Sequence, residues 1–305
     1  MRLAVFLAFI LLSLTPRLYA THVAGGELFY EYVGPGTTAN TDVYRITMRI
    51  FRECNSTGAV LDGEVVNVGI YNNNGLTLFS NIVLQQQFTG APPFIRNTPG
   101  ANPCLTGNPN VCYQIGTYSS NVTLPRSPNG YLLSWIRLTR TPLQNVVGAF
   151  VGATFTTQIP GSNQLPAGSN NSSPQFVTKD TSIVCKQSNF TLDFSAVDRD
   201  GDSLVYRFAN AYDAGTGNAN SAPNPPPPPV LTLPSLTYVP PFSGLNPLGA
   251  SVTINPRTGV ISGIAPDPGK YVVSVFVEEY RNGILLNNHQ KDFIMNVNDC
   301  SLTAV

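Results

Sequence analysis

Three aspartates stand at every second position in Asp198-Arg199-Asp200-Gly201-Asp202-Ser203-Leu204. Carboxylates at that spacing converge on one hard cation when the loop curls. Gly201 supplies the freedom such a curl needs. An oxygen-only ligand set suits Ca²⁺ better than a transition metal. The pattern is not an EF-hand, because the glycine comes too early and Ala209 stands where a bidentate glutamate belongs. Glu279, Glu278 and Asp193 are further candidate ligands. The same aspartates would also suit an exposed, solvated turn.

Other chemistry has little to stand on. No GxSxG, HExxH, P-loop or dinucleotide fingerprint occurs. The histidines are His22, near the expected mature start, and His289, which the strand pattern around it places at the surface. Glu278 and Glu279 are neighbours on a strand and point to opposite faces, so they cannot flank one glycosidic bond. The expectation is a non-enzymatic protein. Phe88, Phe94, Tyr113 and Tyr118 lie in or near a Gly/Pro-rich excursion between Gly90 and Tyr118, the first candidate for a binding surface.

These residues sit in a chain of 305 with 17 basic and 17 acidic side chains. Only 11% of residues are charged, under half of the usual figure of about 25%. That balance excludes a basic nucleic-acid binder. With 26 Gly and 26 Pro and few helix formers, the composition is that of an exported all-β protein. Arg2, the apolar run Leu3 to Leu14 and Leu18-Tyr19-Ala20 predict a signal peptide over residues 1–20. The run is too short to span a bilayer, so the mature chain is expected to be secreted or at the cell surface without a membrane span.

Five cysteines fit an oxidising compartment, and none forms a CxxC. Cys104 and Cys112 flank a loop that a disulfide would close. Cys185 and Cys300 bracket the second half and would tie its first strand to its last. Cys54 is left over, either buried and inert or competing for Cys104 or Cys112.

Strand signals run throughout. Tyr44-Arg45-Ile46-Thr47-Met48-Arg49-Ile50 alternates apolar and polar residues strictly. Gly25–Val33, Val65–Tyr71, Leu76–Leu84, Tyr131–Thr139 and Phe150–Ile159 are similar, separated by turns such as Asn72-Asn73-Asn74-Gly75. Asn282-Gly283 marks a tight hairpin between the last two strands. An uncharged Gly/Ser/Asn/Pro stretch predicts a boundary. The expected plan is a β-sandwich over 21–165, a linker over 166–174, a second β-sandwich over 175–300 and a tail over 301–305. Pro225 to Pro229 reads as an exposed polyproline loop.

Phe194-Ser195-Ala196-Val197-Asp198-Arg199-Asp200-Gly201-Asp202, with Thr258-Gly259-Val260-Ile261-Ser262-Gly263 and Gly269-Lys270-Tyr271, resembles a cadherin-like or immunoglobulin-like bacterial module. The resemblance implies a calcium loop in which Glu279 takes the place of the family's final acidic ligand. Thr21-His22-Val23-Ala24-Gly25-Gly26-Glu27, Arg49-Ile50-Phe51-Arg52-Glu53-Cys54, Asn171-Ser172-Ser173-Pro174 and Val277-Glu278-Glu279-Tyr280-Arg281 are similar to the N-terminal region of large exported proteins of gliding bacteria. That similarity implies type IX secretion and an adhesin-like role in gliding-motility-associated surfaces. The expected partners are other surface proteins or extracellular glycans, and the alternative function is a carbohydrate-binding module of a secreted polysaccharide-handling system. Members tend to carry a Cys-Cys pair where Leu138 and Thr139 stand here, which would leave Cys54 without a partner.

Overall fold

The computed structural model describes residues 23–54, 56, 60–96, 105–106, 111–137, 139–148, 151–177, 182–214, 233–299 and 301–302. The expected signal peptide, His22, Cys104, Cys300 and the Pro225–Pro229 run lie outside the described residues. Among the described residues the chain is all-β and has no helix, so none is long and apolar enough to cross a membrane.

The strands are β1 (Val23–Pro35), β2 (Thr41–Glu53), β3 (Val66–Asn72), β4 (Leu78–Gln86), β5 (Phe94–Arg96), β6 (Leu105–Thr106), β7 (Cys112–Pro125), β8 (Tyr131–Arg137) and β9 (Ala153–Ile159). They continue as β10 (Gln175–Phe176), β11 (Ser182–Cys185), β12 (Asn189–Asp193), β13 (Ala196–Val197), β14 (Ser203–Ala209), β15 (Val252–Ile254), β16 (Val260–Ile264), β17 (Gly269–Arg281), β18 (Ile284–Asn298) and β19 (Ser301–Leu302). A twelve-stranded sheet runs in the order β14-β17-β18-β1-β2-β7-β4-β3-β8-β9. Its named neighbours pair antiparallel; β11 joins β18 in parallel, and β5 joins β7.

Alternation in β1, β2 and β7 sends Leu28, Tyr30, Ile46, Met48 and Tyr118 to one side. There they meet Val68, Ile70, Leu133, Trp135 and Phe155 from β3, β8 and β9 in one core. A second core gathers Phe194, Tyr206, Val252, Ile261, Val275, Val277 and Phe293. The two are joined through the sheet. Gly26 pairs with Asp292 and Glu27 with Lys291, which sets β1 beside β18. The approach is close at Gly25, where a methyl group would overlap the Asp292 carbonyl. The hairpin of β17 and β18 turns at Asn282 and Gly283 with φ of 53° and 79°, as the Asn-Gly signal requires.

The disulfide frame differs from the expectation. Cys112 bonds Cys54, with Cα atoms 5.4 Å apart, so Cys104–Cys112 does not form and Cys54 is not left over. The reason is register. β2 pairs with β7 down to Glu53↔Tyr113, and the Cys54 N–H donates to the Cys112 carbonyl at 3.0 Å. Cys185 is also disulfide-bonded, but the expected Cys185–Cys300 pair falls on a residue outside the description. The Cys54–Cys112 loop spans 58 residues, for which chain entropy gives about 4 kcal/mol. Cys54→Ser with Cys112→Ser is therefore expected to lower the unfolding free energy in urea by about 3–4 kcal/mol. An unchanged denaturation midpoint would count against this cross-link.

Candidate metal centre

The site forms where the β13–β14 turn meets the end of β17 and the segment before β10. Gly201 sits at φ +83°, in the left-handed region, and lets the turn fold back on itself. Asp198 Oδ1 then accepts the N–H groups of Asp200 at 2.9 Å and Asp202 at 2.8 Å. One ligand atom from each of Asp198, Asp200 and Asp202 lies within 4.8 Å of the others. Oxygens on opposite sides of one calcium ion stand about 4.6–5.2 Å apart, twice the usual bond length. The aspartates are thus gathered rather than splayed.

Glu279 closes the site from below. Leu204 on β14 pairs with Glu279 on β17, which brings the turn over the glutamate. Its side chain is fully buried, and neither carboxyl oxygen takes a hydrogen bond of good geometry. Asp198 Oδ2 is likewise buried and unpartnered. Burial first, with the charges of Asp198 and Asp202 adding to it, pushes the Glu279 carboxyl up to about 9, against an opposing effect of the Asn171 side chain that outweighs either charge singly. Burial first, then the neighbouring Asp202 and Asp200 charges, also raises Asp198, although the backbone N–H groups of Asp202 and Asp200 counter the shift.

Arg281 is the counter-charge. Its Nε and Nη2 grip Asp202 at 2.7 and 2.6 Å, and the same guanidinium donates to the Asn170 carbonyl at 2.8 Å and to Asn171 Oδ1 at 2.9 Å. Asn171 donates to the Tyr30 hydroxyl at 3.0 Å, and the Ser172 N–H donates to Asp200 Oδ2 at 2.6 Å. Ser173 and Ser172 in turn cap the Tyr30 and Tyr32 N–H groups of β1. Three carboxyl groups, Asp202, Asp200 and Glu279, therefore act on one guanidinium, with the 170–173 segment laced through them.

Of the residues singled out in the sequence, Asp198, Asp200 and Asp202 come together, and Glu279 lies near enough to feel the charges of Asp198 and Asp202. Asp193 does not; it accepts the Ser195 N–H at 2.9 Å. Glu278 points the other way, as strand alternation requires, and pairs with Arg207 at 2.7 Å. His289 is not a surface residue but fully buried, 2.9 Å from Glu27. Tyr113 and Tyr118 belong to cores rather than to a binding face, because β7 carries them inside; Phe94 is exposed. Arg281 and Tyr30 were not anticipated as site residues. Arg281 follows Glu279 by only two positions, which was the available signal; Tyr30 carried none.

No family model and no curated protein matches this chain. Among solved structures, a chimeric titin Z1Z2 functionalized with a KLER exogenous peptide from decorin is similar over 89% of this chain and 98% of that one. The identity is 10% and the TM-score 0.21, too low to carry an argument about fold or function.

Proposed function

We propose that this chain is an exported, non-enzymatic cell-surface module of the adhesin-like kind found on gliding bacteria. It is built from two immunoglobulin-like β-sandwiches around its two cores and rigidified by one calcium ion. The observation that carries the metal is Glu279. A fully buried carboxyl with both oxygens unpartnered, beside three gathered aspartates, is costly to keep unless a cation meets it. Asp198, Asp200, Asp202 and Glu279 would hold the ion. Its charge would offset the mutual repulsion that Arg281 answers only in part. Support for export comes from the apolar start at residues 3–14 and from a disulfide far apart in sequence.

The test is thermal unfolding of residues 21–305 in calcium and in EDTA. Binding to the folded state alone contributes about 2.7 kcal/mol at a hundredfold excess over Kd. We expect a melting temperature that climbs with calcium in the wild type and stays flat in Asp200→Asn. Superimposed wild-type melts would reduce the loop to a solvated turn.

A further inference from the structure

A second site lies on the opposite, outward side of β1, β2, β7 and β4, away from the first core. There Phe29 pairs with Thr47, Thr47 with Ser119, and Ser119 with Gln85. These four therefore form one row across the sheet. A parallel row holds Glu31, Arg45 and Asn121. The rows line an open trough of about 840 Å³. Its floor is sunk: Phe29 and Thr47 face outward, yet are only 8% and 5% exposed. At one end β10 closes it, since the Phe176 N–H donates to Glu27 just beyond Phe29 at 3.2 Å, and Gln175 stands at the rim.

The chemistry of the lining is specific. The side-chain amides of Gln85, Asn121 and Gln175 and the hydroxyl of Thr117 have no partner among the described residues, although Gln87 is already spent on the Gln85 and Ser119 carbonyls at 2.7 and 3.1 Å. Amides and hydroxyls both donate and accept. The charges are Glu31 between Arg45 at 4.0 Å and Arg199 at 3.9 Å, and Arg199 belongs to a turn with three aspartates, so the rim carries no strong net charge. A nucleic acid or polyanion would want net positive charge here. An extended peptide would want an open strand edge, whereas these strands have spent their main-chain groups on each other. A neutral chain rich in hydroxyls meets the trough's terms. Four strands about 4.8 Å apart give it room for a short run of sugar rings.

We infer that this trough binds a neutral polysaccharide strand, with Gln85, Asn121, Thr117 and Gln175 as the hydrogen-bonding groups. Arg199 of the aspartate turn reaches Glu31 at the rim, but none of these hydrogen-bonding groups belongs to the aspartate cluster, and the inference does not rest on the metal.

Affinity electrophoresis tests it, with native gels containing hydroxyethylcellulose, xyloglucan or galactomannan and with carboxymethylcellulose as the anionic comparison. At least one neutral polymer should retard the wild type. The exposed pair Gln85→Ala with Asn121→Ala should weaken that retardation at least tenfold, and Thr117→Trp, which fills the trough, should abolish it, both with unchanged melting temperatures. Unretarded migration in all three neutral gels would overturn the inference. So would retardation that the variants share with the wild type, or retardation by carboxymethylcellulose alone.

Discussion

Glu27→Ala is expected to cost about 3–5 kcal/mol, the range for breaking a buried ion pair by removing one partner. Glu27 is fully buried at the seam where β1 meets β18. Arg49 donates to Oε2 at 2.7 Å, and His289 Nε2 lies 2.9 Å from Oε1. Lys291, its cross-strand partner, is buried with its ammonium 5.3–5.6 Å from the ring centres of Phe51, Phe176 and Phe194. Removing the carboxylate leaves the Arg49 and Lys291 charges without their shared anion in the seam.

The same residue sets an acid limit. Burial alone would raise its pKa, but the His289 hydrogen bond and the Arg49 and Lys291 charges overcome that and bring it down to about 2. A carboxyl that is lowered on folding contributes its stability in full above its unfolded value near 4.5. That contribution is lost as pH falls through about 2 and amounts to about 3 kcal/mol. Urea unfolding from pH 6 to pH 2 should fall steeply in the wild type and more gently in Glu27→Gln. Parallel curves would show that the carboxylate does not hold the seam.

Glu279→Gln should act in two opposite directions. In EDTA the wild-type carboxyl is protonated in the folded protein up to about pH 9, whereas the unfolded chain ionises near 4.5. Its contribution is full below 4.5 and drains away as pH rises through 9. The metal-free wild type should therefore lose up to about 1.4 kcal/mol per pH unit across that window. The glutamine variant lacks this slope and should exceed the wild type in EDTA at pH 8 by up to about 5 kcal/mol. In calcium the order should reverse, because only the glutamate supplies an anionic ligand. A glutamine variant that is weaker under both conditions would point to plain loss of packing.

The strands that could be read from the sequence were those with clean patterning. Tyr44 to Ile50 alternates without a break, and Asn282-Gly283 fixes the last hairpin. β7 was the large omission. Gly116, Ser119, Ser120 and Asn121 are poor strand formers, and a Gly/Pro-rich approach disguises a fourteen-residue strand that pairs with β2 from Tyr113 to Pro125. That omission carried the wrong disulfide with it, because Cys112 finds Cys54 only when β7 lies beside β2. The aspartate spacing announced the ligands on one turn. It could not announce Arg281, Asn171 and Tyr30, which long-range pairing brings in. Nor could it announce the burial of His289, because β1 crosses to pair with β18 from the far end of the chain.

The most direct test of the metal centre is calorimetric titration of calcium into the EDTA-stripped, desalted mature chain at pH 8, beside Asp198→Asn and Glu279→Gln. One calcium per wild-type chain is expected, with binding weakened at least tenfold in both variants. No binding heat in the wild type across several temperatures, or a stoichiometric site that persists in both variants, would contradict it.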